Sequence, residues 1–146
     1  MSPTGWAGLA EAVERTAREM NPQEVANTLN ALRKLEAAAA VVSPTGWAGL
    51  AEAVGRTASQ MNKQGVSNTL RALGLLPAAA IELSPSARKH VEAAAEREAP
   101  NMTPEGRWMT LRGCEKLELK IPSAFLESIP SRAQASARQP RSPEGT

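Results

Sequence analysis

The chain has no tyrosine, no aspartate, one phenylalanine and one cysteine among its 146 residues. So few aromatics argue against a sheet, whose strands favour aromatic and β-branched side chains. The lone Cys114 excludes an internal disulfide framework. His90 stands without an acidic partner at a useful spacing, and one histidine cannot build a metal site. The longest apolar run, Ala37–Val42, is far shorter than the roughly 20 residues that span a bilayer, so no membrane role is expected. No charged-then-apolar leader opens the chain, which reads as soluble and made in a reducing compartment. Net charge is +2, too slight to announce a nucleic-acid partner by electrostatics alone. The first 83 residues carry 7 basic and 7 acidic side chains, and the remainder 10 and 8.

What the chain does contain is repetition. The twelve residues SPTGWAGLAEAV stand at Ser2–Val13 and again at Ser43–Val54, and Ser84-Pro85 falls one further step of 41 along. Residues 2–42 and 43–83 agree at 28 of 41 positions, while residues 84–124 agree with the first unit at 13. A fixed period of this length is the signature of stacked repeats.

Each unit reads as helix, sharp turn, helix. Ser2 caps a helix whose first position is Pro3, where the missing N–H costs nothing. Trp6, Leu9, Ala10, Val13, Ala17 and Met20 then form one apolar stripe over about five turns. Asn21, Pro22 and Glu24 make a second cap with a capping-box pattern, and Val25, Leu29, Leu32 and Leu35 form the second stripe. The second unit has Lys63 and Gly65 in place of that proline and glutamate. Helices are therefore expected to begin near Ser2, Asn21, Ser43, Asn62, Ser84 and Thr103, with Ala-rich linkers joining the units. In the third unit Arg88 replaces the tryptophan of Trp6 and Trp47, and Lys89 and His90 follow. That polar drift suits an outer terminal face.

These patterns predict an all-α fold: an alpha-solenoid of three stacked helix-turn-helix repeats, wound right-handed, with a disordered C-terminal tail. The repeats occupy 2–42, 43–83 and 84–124, the last degenerate and cap-like; a basic tail poor in apolar residues fills 125–146. The outer face of the first pair is uncovered, so self-association through it, or a place within a longer array, is expected.

The second helices read MNPQEVANTLNALRKL and MNKQGVSNTLRALGLL. These strings resemble two families: the SKWP-repeat type III effectors of plant-pathogenic bacteria, and the octotricopeptide-type repeats of organellar RNA-binding proteins. The first resemblance implies a host-protein partner and the bacterial cytoplasm as the place of synthesis, with secretion into a host cell. The second implies single-stranded RNA and an organellar setting. The near-identical copies, the Ala-rich linkers and the step of 41 favour the effector family, although the chain has three units and no evident secretion segment.

At 100° per residue, Gln23, Asn27, Asn30 and Lys34 lie opposite the leucine stripe. The second copy places Gln64, Asn68, Arg71 and Leu75 there, and the third Glu105, Met109, Arg112 and Lys116. Stacking lines these up as a ladder of candidate binding residues, whose amides and cations suit base edges and phosphates. The alternative for Asn27 and Asn68 is a hydrogen bond that orders the stack; for Asn30, Arg71 and Arg112 it is a solvated face. Trp6 and Trp47 lie on the apolar stripe, which points to packing, whereas Trp108 stands where Ala26 and Ser67 stood and is expected to cover the array's end. Cys114 matches Leu32 and Leu73 and is expected to be buried and inert. Glu11 and Glu14 are read as a solvated face. No nucleophile–base pair and no phosphate-cradling glycine loop appears, so no enzyme and no cofactor is expected, and the function is expected to be binding.

Overall fold

The computed structural model describes residues 8, 11–13 and 15–128. The expected start at Ser2, the packing roles of Trp6, Leu9 and Ala10, the solvated-face reading of Glu14, and the tail beyond 128 lie outside the described residues. Among the described residues there is no strand, as the all-α reading requires.

The five internal helix starts fall where the caps predict. Helix α1 (Pro22–Lys34) begins at Asn21, whose Oδ1 accepts from the Glu24 N–H at 2.7 Å while Glu24 returns a bond to the Asn21 N–H at 2.9 Å. Helix α3 (Pro44–Thr57) is capped by Ser43 and helix α4 (Lys63–Leu75) by Asn62. Helix α6 (Pro85–Glu98) is capped by Ser84 and helix α7 (Pro104–Leu117) by Thr103.

Three expectations about the unit are corrected. The first helix of a unit is shorter than five turns: α3 gives way after Thr57 to a 3-10 turn at Ala58–Gln60. The Thr57 hydroxyl donates to the Ala53 carbonyl at 2.7 Å, a back-bond that loosens a helix near its end. The Ala-rich linkers are themselves helical, as α2 (Glu36–Ala40) and α5 (Pro77–Ala80), and bury Ala38 and Ala79. The last repeat also continues past the point where its pattern fades, into α8 (Ser123–Ser128), where Phe125 is buried.

The units stack on two layers. The second helices α1, α4 and α7 lie side by side, with α4 in the middle, and α3 packs on α6. Leu29, Leu32, Leu70 and Leu73 are buried between the layers with Trp47, Leu50 and Val54. Arginine ties successive units together. Arg56 donates from Nη2 to the Ala17 and Met20 carbonyls at 3.2 and 3.0 Å. One step of 41 later, Arg97 donates from Nη2 to Ala58 and Met61 at 3.3 and 2.8 Å. Within each unit, a threonine hydroxyl meets a methionine sulfur eight residues earlier: Thr28 with Met20, Thr69 with Met61 and Thr110 with Met102.

The end of the third unit is closed differently from expectation. Arg88 is half-buried, donating to the Leu117 carbonyl at 2.8 Å and to that of Ala80 at 3.5 Å, so it joins the final turns of two units. The cover comes from residues 119–125. Leu119 and Phe125 are buried, Glu92 accepts from the Lys120 N–H at 2.8 Å, and Glu96 accepts from the N–H and hydroxyl of Ser123. Those Ser123 bonds hold the Glu96 carboxyl below the usual carboxylate range.

Candidate functional site: the face of the second helices

Because α1, α4 and α7 pack edge to edge, their outward residues form one grooved surface. Between α1 and α4 runs a groove of about 530 Å³ lined by Gln23, Asn27, Gln64 and Asn68 among others. Between α4 and α7 a groove of about 300 Å³ carries Gln64, Asn68, Glu105 and Met109. Nearer the C-terminal ends of the same two helices, a smaller cavity of about 160 Å³ is lined by Arg71, Gly74, Leu75, Trp108, Arg112 and Lys116, among others. The ladder residues are thus brought together in two zones: amides toward the helix starts, cations toward the helix ends.

Individual positions differ. Gln23, Asn27, Lys34, Gln64, Arg112 and Lys116 are exposed, and Asn30, Asn68 and Arg71 are half-buried. Asn30 is held by its own helix, accepting from Arg33 Nε at 2.8 Å. Asn27 and Asn68 make no side-chain hydrogen bond among the described residues, so a stack-ordering bond is not what holds them there. Met109 is buried against the neighbouring helix rather than offered to solvent.

Two members of this surface escaped the sequence reading. Arg33 sits one residue off the ladder, half-buried, and its guanidinium pKa is pressed down first by burial and then by the charge of Arg71 on the neighbouring helix. Its spacing of three from Asn30 was the available signal. Trp108 does not cover the end of the array. It is 57% exposed, and the Arg112 guanidinium lies over its ring, 5.8 Å from the centroid. Cation–π contacts of this kind fall within about 6 Å. Cys114 is fully buried, and its thiol is pushed up from 9.0 to about 12, first by burial and then by the charges of Glu92 and Glu115. It stays protonated near neutral pH and offers no nucleophile. Trp47 packs in the core.

Among the described residues no group of three His, Cys or Glu side chains is placed to hold a metal ion, and no helix is long and apolar enough to cross a membrane.

The model of a family described as a protein of unknown function (DUF1601) matches residues 8–29 and 49–70. Both segments begin and end one step of 41 apart (49 − 8 and 70 − 29), and each runs from a first helix across the 3-10 turn into a second. No curated protein and no solved structure matches the chain. The matched segments contain Gln23, Asn27, Gln64 and Asn68 and stop short of Asn30 and Arg71. This chain is therefore similar to that family over its first two copies, in the same register in each, and carries helical repeats.

Proposed function

We propose that this protein is a non-enzymatic binding module that holds an extended anionic chain, single-stranded RNA, across the face of α1, α4 and α7. The observation that carries this reading is the cation cluster at the helix ends. Arg71, Arg112 and Lys116 line one cavity between α4 and α7, and the pKa of Arg33 is depressed first by burial and then by the charge of Arg71. None of the four forms an ion pair among the described residues. Helix C-termini carry partial negative charge and favour nearby cations, which accounts for part of the cluster. It does not account for the charge of Arg71 bearing on Arg33 from a second helix, a repulsion that a bound phosphate would relieve. The unbonded amides of Gln23, Asn27, Gln64 and Asn68 supply donors and acceptors suited to base edges. The likeness of helices α1 and α4 to octotricopeptide-type repeats points the same way.

Binding of a labelled single-stranded RNA oligomer, followed as salt is raised, tests the proposal. Replacing Arg71 and Arg112 together by Ala is expected to weaken binding and flatten the salt dependence by about 1.4 in log–log slope, the value for two phosphate contacts on a single strand. No binding by the unaltered chain at about 50 mM salt, where phosphate contacts act strongly, removes RNA from the account.

A second reading, a host-protein partner of the kind the effector resemblance implies, is favoured by a different observation. Leu35, Val41, Leu75 and Ile81 are exposed where units join, Ile81 at 79%. If RNA fails to bind, this apolar edge becomes the leading surface, and Ile81→Ser should then abolish partner capture without lowering stability.

A further inference from the structure

The third unit differs from the others at the cavity between α4 and α7. One step of 41 back, Trp108 corresponds to Ser67 and Gly113 to Ala72; Lys116 corresponds to Leu75 and, a further step back, to Lys34. The effect of Gly113 is geometric. A Cβ there would stand 2.5 Å from the Leu70 carbonyl oxygen, so the two backbones touch, and α7 lies closer to α4 than an alanine allows. That approach places the exposed indole of Trp108 and the guanidinium of Arg112 on the rim of a space whose other wall supplies Arg71. A large exposed aromatic ring on a helical surface costs solvation, and here packing does not require it: the core is already filled by Leu70, Leu73 and Cys114.

From this we infer a subsite for one nucleotide: a base stacks against Trp108 while its phosphate is held by Arg71 and Lys116. The inference rests on the proposal that this face binds RNA and adds where one base is gripped. The cavity, at about 160 Å³, is small against the roughly 300–1,000 Å³ of sites for drug-sized ligands, so it takes one flat group rather than a folded segment. No carboxylate lines it, and three cations do. An aromatic face beside guanidiniums is the chemistry that holds bases of any sequence on single strands. Elsewhere in the chain the same position is Ala26 or Ser67, so the grip is expected once, at the third unit.

The test uses the full chain, a labelled single-stranded RNA oligomer and a phosphodiester oligomer of equal length without bases. Trp108→Ala is expected to weaken RNA binding by roughly 5- to 100-fold, the range for losing one stacked base. Trp108→Phe should retain most of the affinity, and both variants should bind the base-free oligomer as the unaltered chain does. Because Trp108 is exposed, unchanged thermal melts are expected and separate a lost subsite from lost structure. If Trp108→Ala binds RNA as tightly as the unaltered chain, the subsite is wrong while the RNA-binding face stands. An equal loss with the base-free oligomer also overturns it, since the ring would then act through Arg112. If the unaltered chain binds neither oligomer, the subsite and the face fall together.

Discussion

At the junction of the first and second units Arg56 reaches back to the Ala17 and Met20 carbonyls; at the next junction Arg97 does the same to Ala58 and Met61. The frame is one and the same. The filling is not. Between α1 and α4 the groove is wide and lined with amides, and the position equivalent to Gly113 is Ala72. Between α4 and α7 the backbones meet at Gly113, and a tryptophan and three cations edge the cavity. The other layer has its glycine on the second unit instead: Gly55 lies against Ala87, and a Cβ on Gly55 would stand only 2.8 Å from that methyl. The second and third units thus meet through glycine in both layers. What survives from junction to junction is an arginine that reads backbone carbonyls, which every sequence has. What changes is side-chain filling, which must change on both walls at once. That is how a unit with 13 of 41 matches keeps the stacking of a unit with 28.

The largest expected effect is at Leu70. It is wholly buried in the middle helix, with α1 on one side and Gly113 of α7 on the other. Leu70→Ala should cost roughly 2–5 kcal/mol, as cavities in close-packed cores do. Its counterpart Leu111 is half-buried, so Leu111→Ala should cost clearly less. Equal losses in chemical denaturation would mean that the two units are not flanked differently, and the comparison of junctions would fail at its base.

A smaller effect separates the junctions directly. Gly113→Ala drives a methyl into the Leu70 backbone, which cannot swing aside as a side chain can, and overpacking of this sort costs about 1–3 kcal/mol. Gly49→Ala, at the first junction, meets the Ala17 methyl at 3.4 Å, an ordinary contact, and should be neutral or mildly stabilising. If both variants melt alike, the close approach of α4 and α7 is not what distinguishes the second junction. A rise in the RNA affinity of Gly113→Ala would further imply that widening this groove admits the strand better.

How much of this was legible in the sequence follows from the range of each interaction. The period, the caps at Asn21, Ser43, Asn62, Ser84 and Thr103, and the buried leucines are local patterns repeated three times, and they were read. Helices α2 and α5 read as linkers in the sequence because four or five alanine-rich residues are too short for a period to show. Helix α8 is not legible because its anchor, Phe125, belongs to no repeat, and the segment leading to it is tied down by Lys120–Glu92 and Ser123–Glu96 bonds at separations of 28 and 27 residues, which no spacing rule connects. The ladder residues lie along the grooved surface of α1, α4 and α7, with Met109 turned inward. The charge of Arg71 on Arg33 is not legible in the sequence, because it arises only when two helices are laid side by side. The threonine–methionine pairs were in plain view as Thr28, Thr69 and Thr110. A threonine held at all three copies, eight residues after a methionine, marks a position that is buried in the second and third units and half-buried in the first.

The smallest expected effect concerns the helix starts that the first two units use to set the frame. In the first unit the capping box is closed, with Asn21 and Glu24 bonding each other's N–H groups. In the second it is half open: Asn62 accepts from the Gly65 N–H at 2.8 Å, but Gly65 has no side chain to return the bond. A Cβ at Gly65 would meet Met61 and Asn62 at 3.4 Å, so a side chain fits. Gly65→Ala should stabilise by about 0.5–1 kcal/mol through lower backbone entropy in the unfolded chain. Gly65→Glu should add about 0.3–1 kcal/mol more, by closing the box and setting a carboxylate at the positive end of α4. Together these raise the melting temperature by roughly 2–4 °C per kcal/mol for a chain near this size. The two parts separate by pH. A carboxylate stabilised in the folded state has its pKa lowered there, so the glutamate increment is present above about pH 4.3 and fades below it. The alanine increment does not titrate. Should Gly65→Glu melt no higher than Gly65→Ala at pH 7, the cap of the second unit gains nothing from a closed box, and its glycine reflects a need for room at the amide groove rather than a decayed cap.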